Sequence, residues 1–523
     1  MRSFLPRNTG LSALLIIAAL WSLSVSCSLL TGLRRISTPT VAPTPTVAAT
    51  VAAVPQLAIT LPAEPSATAA LPAPQATQAS SPQATQASAP QVVPTPDHLA
   101  AQAPWLVIST SDGIWMANPD GSWLTQVSQA PITSPASLGP AIAPDGSRLA
   151  YVTSNRDNSY LDLSLHLLDL ASRKDTTLTA LTSASTAANP QSGPGDNNIE
   201  AARAMADYDS VAWSPDGSTL AFVGAQQGSS ADIYTYVPAT GKINHLTSGP
   251  SQAYAPSWSP DSQYIVHFGV AGFGTGAGYV MSGAWAVRAS DGSVITLYTP
   301  NSGGEYLTGW LDPTTFMVYS WTAACGGESL RSINLASLAP QTVYSGCFAY
   351  AAMDPASKTV LLAGEDSSSC NCSPGKGAFL LKPGSSTPTQ VLNDDVAQVS
   401  WYAPGQMFLA LTYAGRWVGI LPDGTQEFNV SAPNGKVAGI IDGPVAWTEA
   451  EPKQEAGVWV QMPVGAPRKI FDQPATNPLW TSDKGDVLVF FSGSDLYAAH
   501  APDFTPVKMG QISGDVKDAA MAK

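Results

Sequence analysis

The sequence predicts an all-β protein, a single closed β-propeller of four-stranded antiparallel blades that follows a disordered linker. Three observations predict this fold class. A short unit with a tryptophan, a Pro-Asp-Gly turn and an apolar strand recurs along the chain. The strand after the turn is apolar on both faces, as expected for a strand buried between stacked sheets. The last residues match only the first strand of a unit, and residues 105–128 supply the missing strands.

Residues 1–27 have the layout of a secretory signal, with a basic start, the apolar run Leu11–Leu23 and small residues before Cys27. This layout resembles a bacterial lipoprotein signal, in which the cysteine becomes the lipidated first residue. Lipidation of Cys27 is therefore expected, although Ser24 stands where that pattern prefers leucine. The alternative is an uncleaved helix over Leu11–Leu33, which is long enough to span a bilayer. Either anchor leaves the rest of the chain membrane-attached and extracytoplasmic, in a periplasm or on the outer surface.

Residues 28–104 predict a disordered spacer. From residue 37 onward the segment consists mainly of Pro, Thr, Ala, Gln and Ser, and the heptapeptide PQATQAS occurs twice. Such a composition buries too little apolar surface to offset the entropy lost on ordering. Because its prolines favour an extended chain, the segment is expected to hold the following domain away from the membrane.

The repeated unit defines a propeller domain at residues 105–523. Its clearest copies are VAWSPDG at Val211–Gly217 and PSWSPDS at Pro256–Ser262, each followed by an apolar strand such as Thr219–Gly224. In the turn, proline presets φ and glycine accepts a positive φ. A third strand, such as Asp232–Val237, and a fourth complete the unit. Four short antiparallel strands in roughly 40–50 residues are typical of one propeller blade.

The WSPDG unit with its alternating apolar strand resembles the WD-like repeats of the TolB family, which also occur in the propeller of prolyl-oligopeptidase-type enzymes. The resemblance is strongest at residues 139–298, and it implies a propeller that scaffolds protein partners at the cell envelope. It implies no particular partner or contact residue. Counting the blade shared by both ends gives nine blades, the other eight starting near residues 141, 211, 256, 307, 350, 399, 437 and 477. Eight blades is the alternative, reached by omitting the degenerate unit at 437–472, because propellers typically have about four to eight.

Blade connectivity predicts which face of the propeller binds a partner. If the strands of a blade are lettered a to d, the short a–b and c–d turns lie on one face and the b–c and d–a loops on the other. The long segments all fall on this second face, the loop face: Ser183–Ser210, Gly269–Gly283, Ala323–Glu328 and Glu365–Gly377. Function tends to lie on long loops held by a rigid scaffold, although such loops are also simply tolerated there. The candidate binding residues on this largely acidic face are Asp196, Glu200, Asp207, Asp209, Tyr279, Glu305, Glu365 and Asp366.

Four cysteines also fall on loop-face connections: Cys325, Cys347, Cys370 and Cys372. Four cysteines that can pair, besides Cys27, indicate an oxidising compartment. A bond between Cys325 and Cys347 is favoured, which leaves Cys370 with Cys372, and crossed pairings remain open. A zinc site is a further alternative that the expected compartment disfavours.

Composition and missing motifs limit the function. Lys+Arg 24 against Asp+Glu 38 gives a net charge of −14, which argues against nucleic acid. There is no His-Glu-x-x-His metal motif and no Gly-x-Ser-x-Gly nucleophile motif. The sequence therefore predicts a monomeric protein without cofactor or metal that binds or scaffolds an envelope protein, peptide or glycan, and that is not an enzyme. The alternative is a propeller enzyme acting on glycans or a quinone-dependent dehydrogenase, which a cluster of His, Tyr and acidic side chains in the central channel would favour.

Overall fold

The computed structural model describes most of residues 98–523, all within the compact unit Thr95–Lys523. The described ranges are 98–135, 137–154, 162–182, 204–206, 209–227, 230–249, 251–273, 279–298, 305–320, 327–364, 374–449 and 456–523. The predicted anchor and nearly all of the predicted spacer lie outside them. Within the described ranges, no helix has the length and apolar character needed to cross a membrane.

Nine four-stranded antiparallel sheets form the nine blades of a β-propeller, which confirms the predicted fold class. Blade 1 joins the two ends of the domain, and its strands are β1 (Trp105–Thr110), β2 (Gly113–Ala117), β3 (Thr125–Ser128) and β36 (Val516–Ala522). Strand β36 pairs with β1, so that Trp105 lies opposite Ala522 and Val107 lies opposite Ala520. The predicted ring closure by the terminal strands is therefore confirmed.

The other eight blades follow in chain order, each with strands a to d hydrogen-bonded in sequence. Blades 2 to 5 are formed by β4 (Ile132–Ser134), β5 (Arg148–Thr153), β6 (Ser164–Asp169) and β7 (Lys174–Ala180); β8 (Val211–Trp213), β9 (Leu220–Gly224), β10 (Asp232–Val237) and β11 (Lys242–His245); β12 (Gln252–Trp258), β13 (Tyr264–Phe273), β14 (Tyr279–Arg288) and β15 (Val294–Tyr298); and β16 (Glu305–Asp312), β17 (Thr315–Ser320), β18 (Glu328–Asn334) and β19 (Gln341–Gly346).

Blades 6 to 9 repeat the same order in the second half of the domain. Their strands are β20 (Phe348–Met353), β21 (Val360–Gly364), β22 (Gly377–Leu381) and β23 (Thr389–Leu392); β24 (Val396–Tyr402), β25 (Met407–Thr412), β26 (Arg416–Ile420) and β27 (Gln426–Ser431); β28 (Val437–Gly439), β29 (Val445–Glu449), β30 (Gly457–Gln461) and β31 (Arg468–Phe471); and β32 (Thr476–Trp480), β33 (Val487–Ser492), β34 (Asp495–His500) and β35 (Thr505–Gln511). The count of nine is confirmed. The alternative of eight is wrong, because residues 437–471 form the complete sheet of blade 8.

Two element boundaries differ from the sequence prediction. Blade 2 begins with the three-residue strand β4 and not near residue 141, which instead ends a 3-10 turn, Gly139–Ala141. The segment Gly269–Gly283, predicted as a long b–c loop, consists largely of strand. Strands β13 and β14 have 10 residues each and remain paired as far as Phe273 and Tyr279. This hairpin extends blade 4 on the loop face.

The tryptophan of the repeat joins neighbouring blades. The indole Nε1–H of Trp258 in blade 4 donates to the backbone carbonyl of Ala212 in blade 3, over 2.9 Å. The indole of Trp213 donates in the same way to Ala141, over 2.9 Å, and that of Trp480 donates to Ala438, over 3.1 Å. Each indole fills the seam between two blades and donates to a backbone carbonyl of the preceding blade. The tryptophan of the repeat therefore stabilises the contact between neighbouring blades.

The aspartate of the repeat closes the a–b turn. Ser214 Oγ donates to Asp216 Oδ1 over 2.6 Å, and the backbone N–H of Ser218 donates to the same oxygen over 3.0 Å. Partial burial opposes ionisation, but these hydrogen bonds prevail and hold the pKa of Asp216 below its usual value. Corresponding side-chain to backbone bonds are made by Asp145, Asp261 and Asp312. These residues act as turn formers.

Candidate functional site

The structure describes three of the eight residues predicted on the loop face. Asp196, Glu200, Asp207, Glu365 and Asp366 lie outside the described residues, as do Cys27, Cys325, Cys370 and Cys372. Tyr279 is the first residue of β14, in the extended hairpin of blade 4. The acidic character of this face therefore stays a prediction.

Asp209 lies just before β8, and its Oδ1 accepts a hydrogen bond from the backbone N–H of Ser137 over 3.3 Å. The neighbouring Leu138 N–H donates to Asp518 Oδ2 of β36 over 2.8 Å. Burial raises the pKa of Asp518, and the charge of Asp209 adds to this rise. These two carboxylates thus fix the chain between β4 and β5 where blades 1, 2 and 3 meet.

Glu305 begins β16 and is only 2% exposed. It forms an ion pair with Arg331 of β18, and Ser320 Oγ of β17 donates to the same carboxylate oxygen over 2.7 Å. The guanidinium also donates to Ser320 over 2.7 Å. The carboxylate is therefore neutralised inside blade 5 by groups from two further strands of the same sheet.

Cys347 is buried between β19 and β20, and its backbone forms an isolated bridge with Pro374. Pro374 follows Cys372 by two residues, so the fold brings Cys347 beside the segment that carries two of the other cysteines. Because those cysteines lie outside the described residues, the disulfide pairing stays a prediction.

A groove that the sequence analysis did not predict lies on the opposite face, at the a–b turns of blades 6 to 9 and the end of β36. Two adjoining cavities form it, of about 620 Å³ and about 580 Å³. They share Ala403, Gln406 and Ile441, and together we call them the turn-face groove. The larger cavity reaches Trp480 and Lys523, and the smaller reaches the a–b turn of blade 6.

Degenerate a–b turns create this groove. In blade 7 the turn is Ala-Pro-Gly-Gln, a 3-10 turn that Gln406 ends with φ 46°. In blade 8 it is Ile-Ile-Asp-Gly, in which Ile440 and Ile441 are half-buried. Neither turn has the serine and aspartate pair that closes the turns of blades 3 and 4. Apolar side chains and open space therefore replace a compact turn, and the departure from WSPDG at these positions is the sequence signal that could have located the groove.

The groove has an apolar wall and a mainly acidic rim. The exposed carboxylates at the rim are Asp423 and Asp483, and Asp483 pairs with Lys523 Nζ at 2.6 Å. Asp354 also lines the smaller cavity, but it is buried and accepts hydrogen bonds within its own turn. Hydrogen bonds from Thr425 lower the pKa of Asp423, so it is ionised at neutral pH. Burial raises the pKa of Tyr402, so its phenol stays neutral. Apolar walls with a few placed polar groups are typical of ligand sites.

The described residues contain no cluster of three or more His, Cys, Asp or Glu that could hold a metal ion. No protein-family model matches the chain. Over 54 residues, the chain is 41% identical to the uncharacterized peptidase YuxL of Bacillus subtilis (strain 168). The match covers 10% of this chain and 8% of that peptidase, so the chain spans less than a tenth of the relative's length. The prediction that the chain is not an enzyme is contradicted by this match and is withdrawn, because the WSPDG-type repeat alone could not separate binding propellers from propellers of peptidases.

Several solved structures are similar to the chain in fold. A eukaryotic initiation factor matches with 11% identity and a TM-score of 0.50, over 81% of this chain and 99% of that one. The β-propeller domain of the Trilobed protease from Pyrococcus furiosus matches with 11% identity and a TM-score of 0.35, over 70% and 95%. A TolB-type protein from Agrobacterium tumefaciens matches with 16% identity and a TM-score of 0.27, over 47% and 79%. At these identities the likeness shows only the fold, and TolB-type and other β-propeller proteins are among the structural neighbours.

Proposed function

We propose that this chain is an extracytoplasmic propeller, tethered to the membrane by its N-terminal segment, that binds polypeptide in the turn-face groove. The observation that carries the proposal is the pair of adjoining cavities with an apolar wall and an acidic rim. Their volumes lie within the roughly 300–1,000 Å³ of typical ligand pockets, and together they form an elongated site across several blades.

Polypeptide is the ligand class that fits this groove best. Ile440, Ile441 and Trp480 offer apolar surface for side chains, and the backbone ends of four strands a offer hydrogen-bonding groups. The exposed carboxylates of Asp423 and Asp483 at the rim favour a segment with basic residues. The similarity of a short segment to a protein named as a peptidase supports polypeptide as the partner.

Site-specific crosslinking in intact cells tests the proposal. A photoreactive residue is placed at Ala403, which is exposed and lines both cavities, and in a control at Ser218, which is exposed at the intact a–b turn of blade 3. We expect polypeptide adducts from position 403 and none from 218, and Ile441→Arg should reduce their yield about tenfold by filling the groove. Equal labelling at both positions, or adducts that contain only glycan, would contradict the proposal.

Peptide hydrolysis is a second candidate function, favoured by the similarity to a protein named as a peptidase. If the chain cleaves what it binds, the purified protein should shorten members of a basic peptide library, and Ile441→Arg should slow every cleavage. Mass spectrometry of the library before and after incubation measures this. Heat-denatured protein serves as the control for contaminating peptidases.

A further inference from the structure

A second cavity lies between blades 3 and 4, towards the loop face, and has no part in the turn-face groove. Its volume is about 220 Å³. We call it the seam cavity, and the side chains that characterise its lining are Asp232, Thr247, Ser248, Ser251, His267 and Trp285. The first four belong to blade 3 and the connection after it, and the last two belong to neighbouring strands of blade 4.

Two glycines give the seam cavity an aromatic wall. Gly269 and Gly283 are a cross-strand pair of β13 and β14. A Cβ atom at either glycine would lie 2.3 Å from the indole of Trp285, so this ring rests directly on their backbone. The imidazole of His267 lies beside it, with ring centroids 5.6 Å apart and planes inclined by 21°. Because both rings line the cavity, blade 4 offers a nearly flat π surface to an occupant.

His267 adds a hydrogen-bond acceptor to this surface. Its Nδ1 lies 3.3 Å from the backbone carbonyl of Phe268, which can only accept, so Nδ1 carries the proton. Burial lowers the pKa of His267 to about 4, and the ring is therefore neutral at pH 7. Its Nε2 is buried without a hydrogen-bond partner. A buried acceptor without a partner is unfavourable, so Nε2 fits a ligand that donates a hydrogen bond.

Asp232 supplies negative charge on the blade 3 side. Asp232 is 3% exposed, and its carboxylate accepts hydrogen bonds from Ser230 Oγ at 3.1 Å and Thr247 Oγ1 at 3.3 Å. His245 Nε2 lies 3.4 Å from the same carboxylate. Burial nevertheless raises the pKa of Asp232, against the effect of these neighbours. Among the described residues that line the cavity there is no lysine or arginine. Of the groups that contact this carboxylate, only the imidazole of His245 can become cationic, so a permanently charged occupant would supply positive charge that the lining itself does not.

We propose that the seam cavity binds a primary ammonium group, carried by a lysine side chain or by a free alkylamine. An ammonium has three N–H donors, which suit His267 Nε2 and the carboxylate of Asp232 at once. Its charge is also attracted to the indole face of Trp285. An anion would be repelled by Asp232, and a neutral sugar would leave that carboxylate uncompensated. The site is independent of the proposed function, because it lies on the other face of the propeller.

Titration calorimetry with defined probes tests this inference on the wild-type chain. The probes are n-butylamine, its neutral counterpart n-butanol, a lysine-containing tripeptide and the same tripeptide acetylated on the lysine Nε. We expect butylamine to bind at least about tenfold more tightly than butanol, since only the amine satisfies the charge. If the tripeptide binds more tightly than butylamine, the natural ligand is a lysine side chain. If butylamine binds more tightly than the tripeptide, the natural ligand is a free amine. Equal affinity for butylamine and butanol would overturn the inference.

Variants locate the binding in the seam cavity. Asp232→Asn keeps the shape of the side chain and removes its charge. We expect it to lower the affinity for butylamine about tenfold or more. Trp285→Leu removes the π surface and should also lower the affinity for butylamine. The control is Asp291→Asn, at the exposed turn before β15, which should leave the affinity unchanged. Thermal unfolding identifies variants that fold. A folded Asp232→Asn variant with unchanged affinity would place the binding elsewhere.

Discussion

At the scale of single residues, the seams between blades depend on the indole N–H of the repeat tryptophan. Trp258→Phe keeps an aromatic ring in the seam but removes the indole N–H that donates to the carbonyl of Ala212. We expect a loss of about 1–2 kcal/mol in the free energy of unfolding, measured by urea denaturation. Trp417→Phe is the control, because the indole nitrogen of Trp417 is buried without a hydrogen-bond partner. If both variants lose the same stability, the interblade bond contributes nothing.

His267 should make the stability of the domain depend on pH. Burial holds its folded pKa at about 4, below the usual 6.5 of an unfolded chain. The unfolded state therefore binds the extra proton first, and stability is lost as the pH falls from about 6.5 to about 4. Between pH 7 and 4.5 we expect wild type to lose about 2–3 kcal/mol more than His267→Phe. Denaturant titrations of both proteins at the two pH values measure this, and parallel losses would contradict it. The raised pKa values of Asp232 and Asp518 act in the opposite direction and are retained in the variant.

Single residues were predictable where their role is local. The aspartate of Pro-Asp-Gly bonds within its own turn, so its role as a turn former follows from the motif. The ion pair of Glu305 with Arg331 was not predictable, because it joins strands β16 and β18 across an intervening strand. Such a pairing depends on the register of three strands, which no local pattern specifies.

At the scale of elements, the β13–β14 hairpin depends on Gly283 to accommodate the indole of Trp285. Gly283→Ala would place a Cβ atom 2.3 Å from that ring, so the ring or the strand must shift. We expect a loss of about 1–3 kcal/mol in the free energy of unfolding. Gly139→Ala is the control, because the new Cβ atom would lie 3.8 Å from Ser137 Oγ, an ordinary contact distance. Thermal and urea unfolding measure both variants. Wild-type stability of Gly283→Ala would show that the indole position is not constrained.

The elements that the sequence predicted best are those with a strong repeat. Blades 3 and 4 carry WSPD, and their predicted starts lie close to the observed ones. By contrast, β4 has only three residues and no turn motif directly after it. Blade 8 lacks the motif, but the indoles of Trp447 and Trp459 stack on its sheet with parallel planes and ring centroids 6.1 Å apart. Such packing between strands stabilises the blade in place of a turn motif, and a search for turn motifs does not detect it.

At the scale of the whole molecule, the ring should depend on its last strand. Deletion of residues 516–523 would remove β36 and leave the backbone groups of β1 unpaired at an open edge. We expect the truncated protein to aggregate or to unfold without a cooperative transition, as size-exclusion chromatography and thermal unfolding would show. Addition of the peptide 512–523 should restore a monomer. A stable, monomeric truncated domain would contradict the dependence on closure.

The proposed tether is tested separately from the propeller. Cys27→Ala should move the protein from the membrane fraction to the soluble fraction if Cys27 carries the lipid, because no covalent anchor then remains. If the uncleaved helix of the alternative prediction is the anchor, the variant stays in the membrane fraction. Immunoblots of salt-washed fractions, with the intact-mass measurement of the wild-type N-terminus, distinguish the two.

The fold of the whole molecule was more predictable than its site. Repeats and complementary ends specify a closed ring. The lengths of the loops, by contrast, predicted a binding site on the loop face. The turn-face groove arises instead from altered turns around Ala403 and Ile441, which are no longer than the intact turns of blades 3 and 4. Whether the molecule acts on what it binds was not predictable, because binding propellers and peptidase propellers share the repeat.

The shared sheet of blade 1 has a consequence for biosynthesis. A ribosome makes β1 to β3 before the other blades and β36 after them, so this one sheet is completed only when the whole propeller has been synthesised. Until β36 has been synthesised, β1 has an unpaired edge to which chaperones or other strands can bind. A product terminated even a few residues early keeps that edge, and proteolytic quality control can recognise it as unfinished.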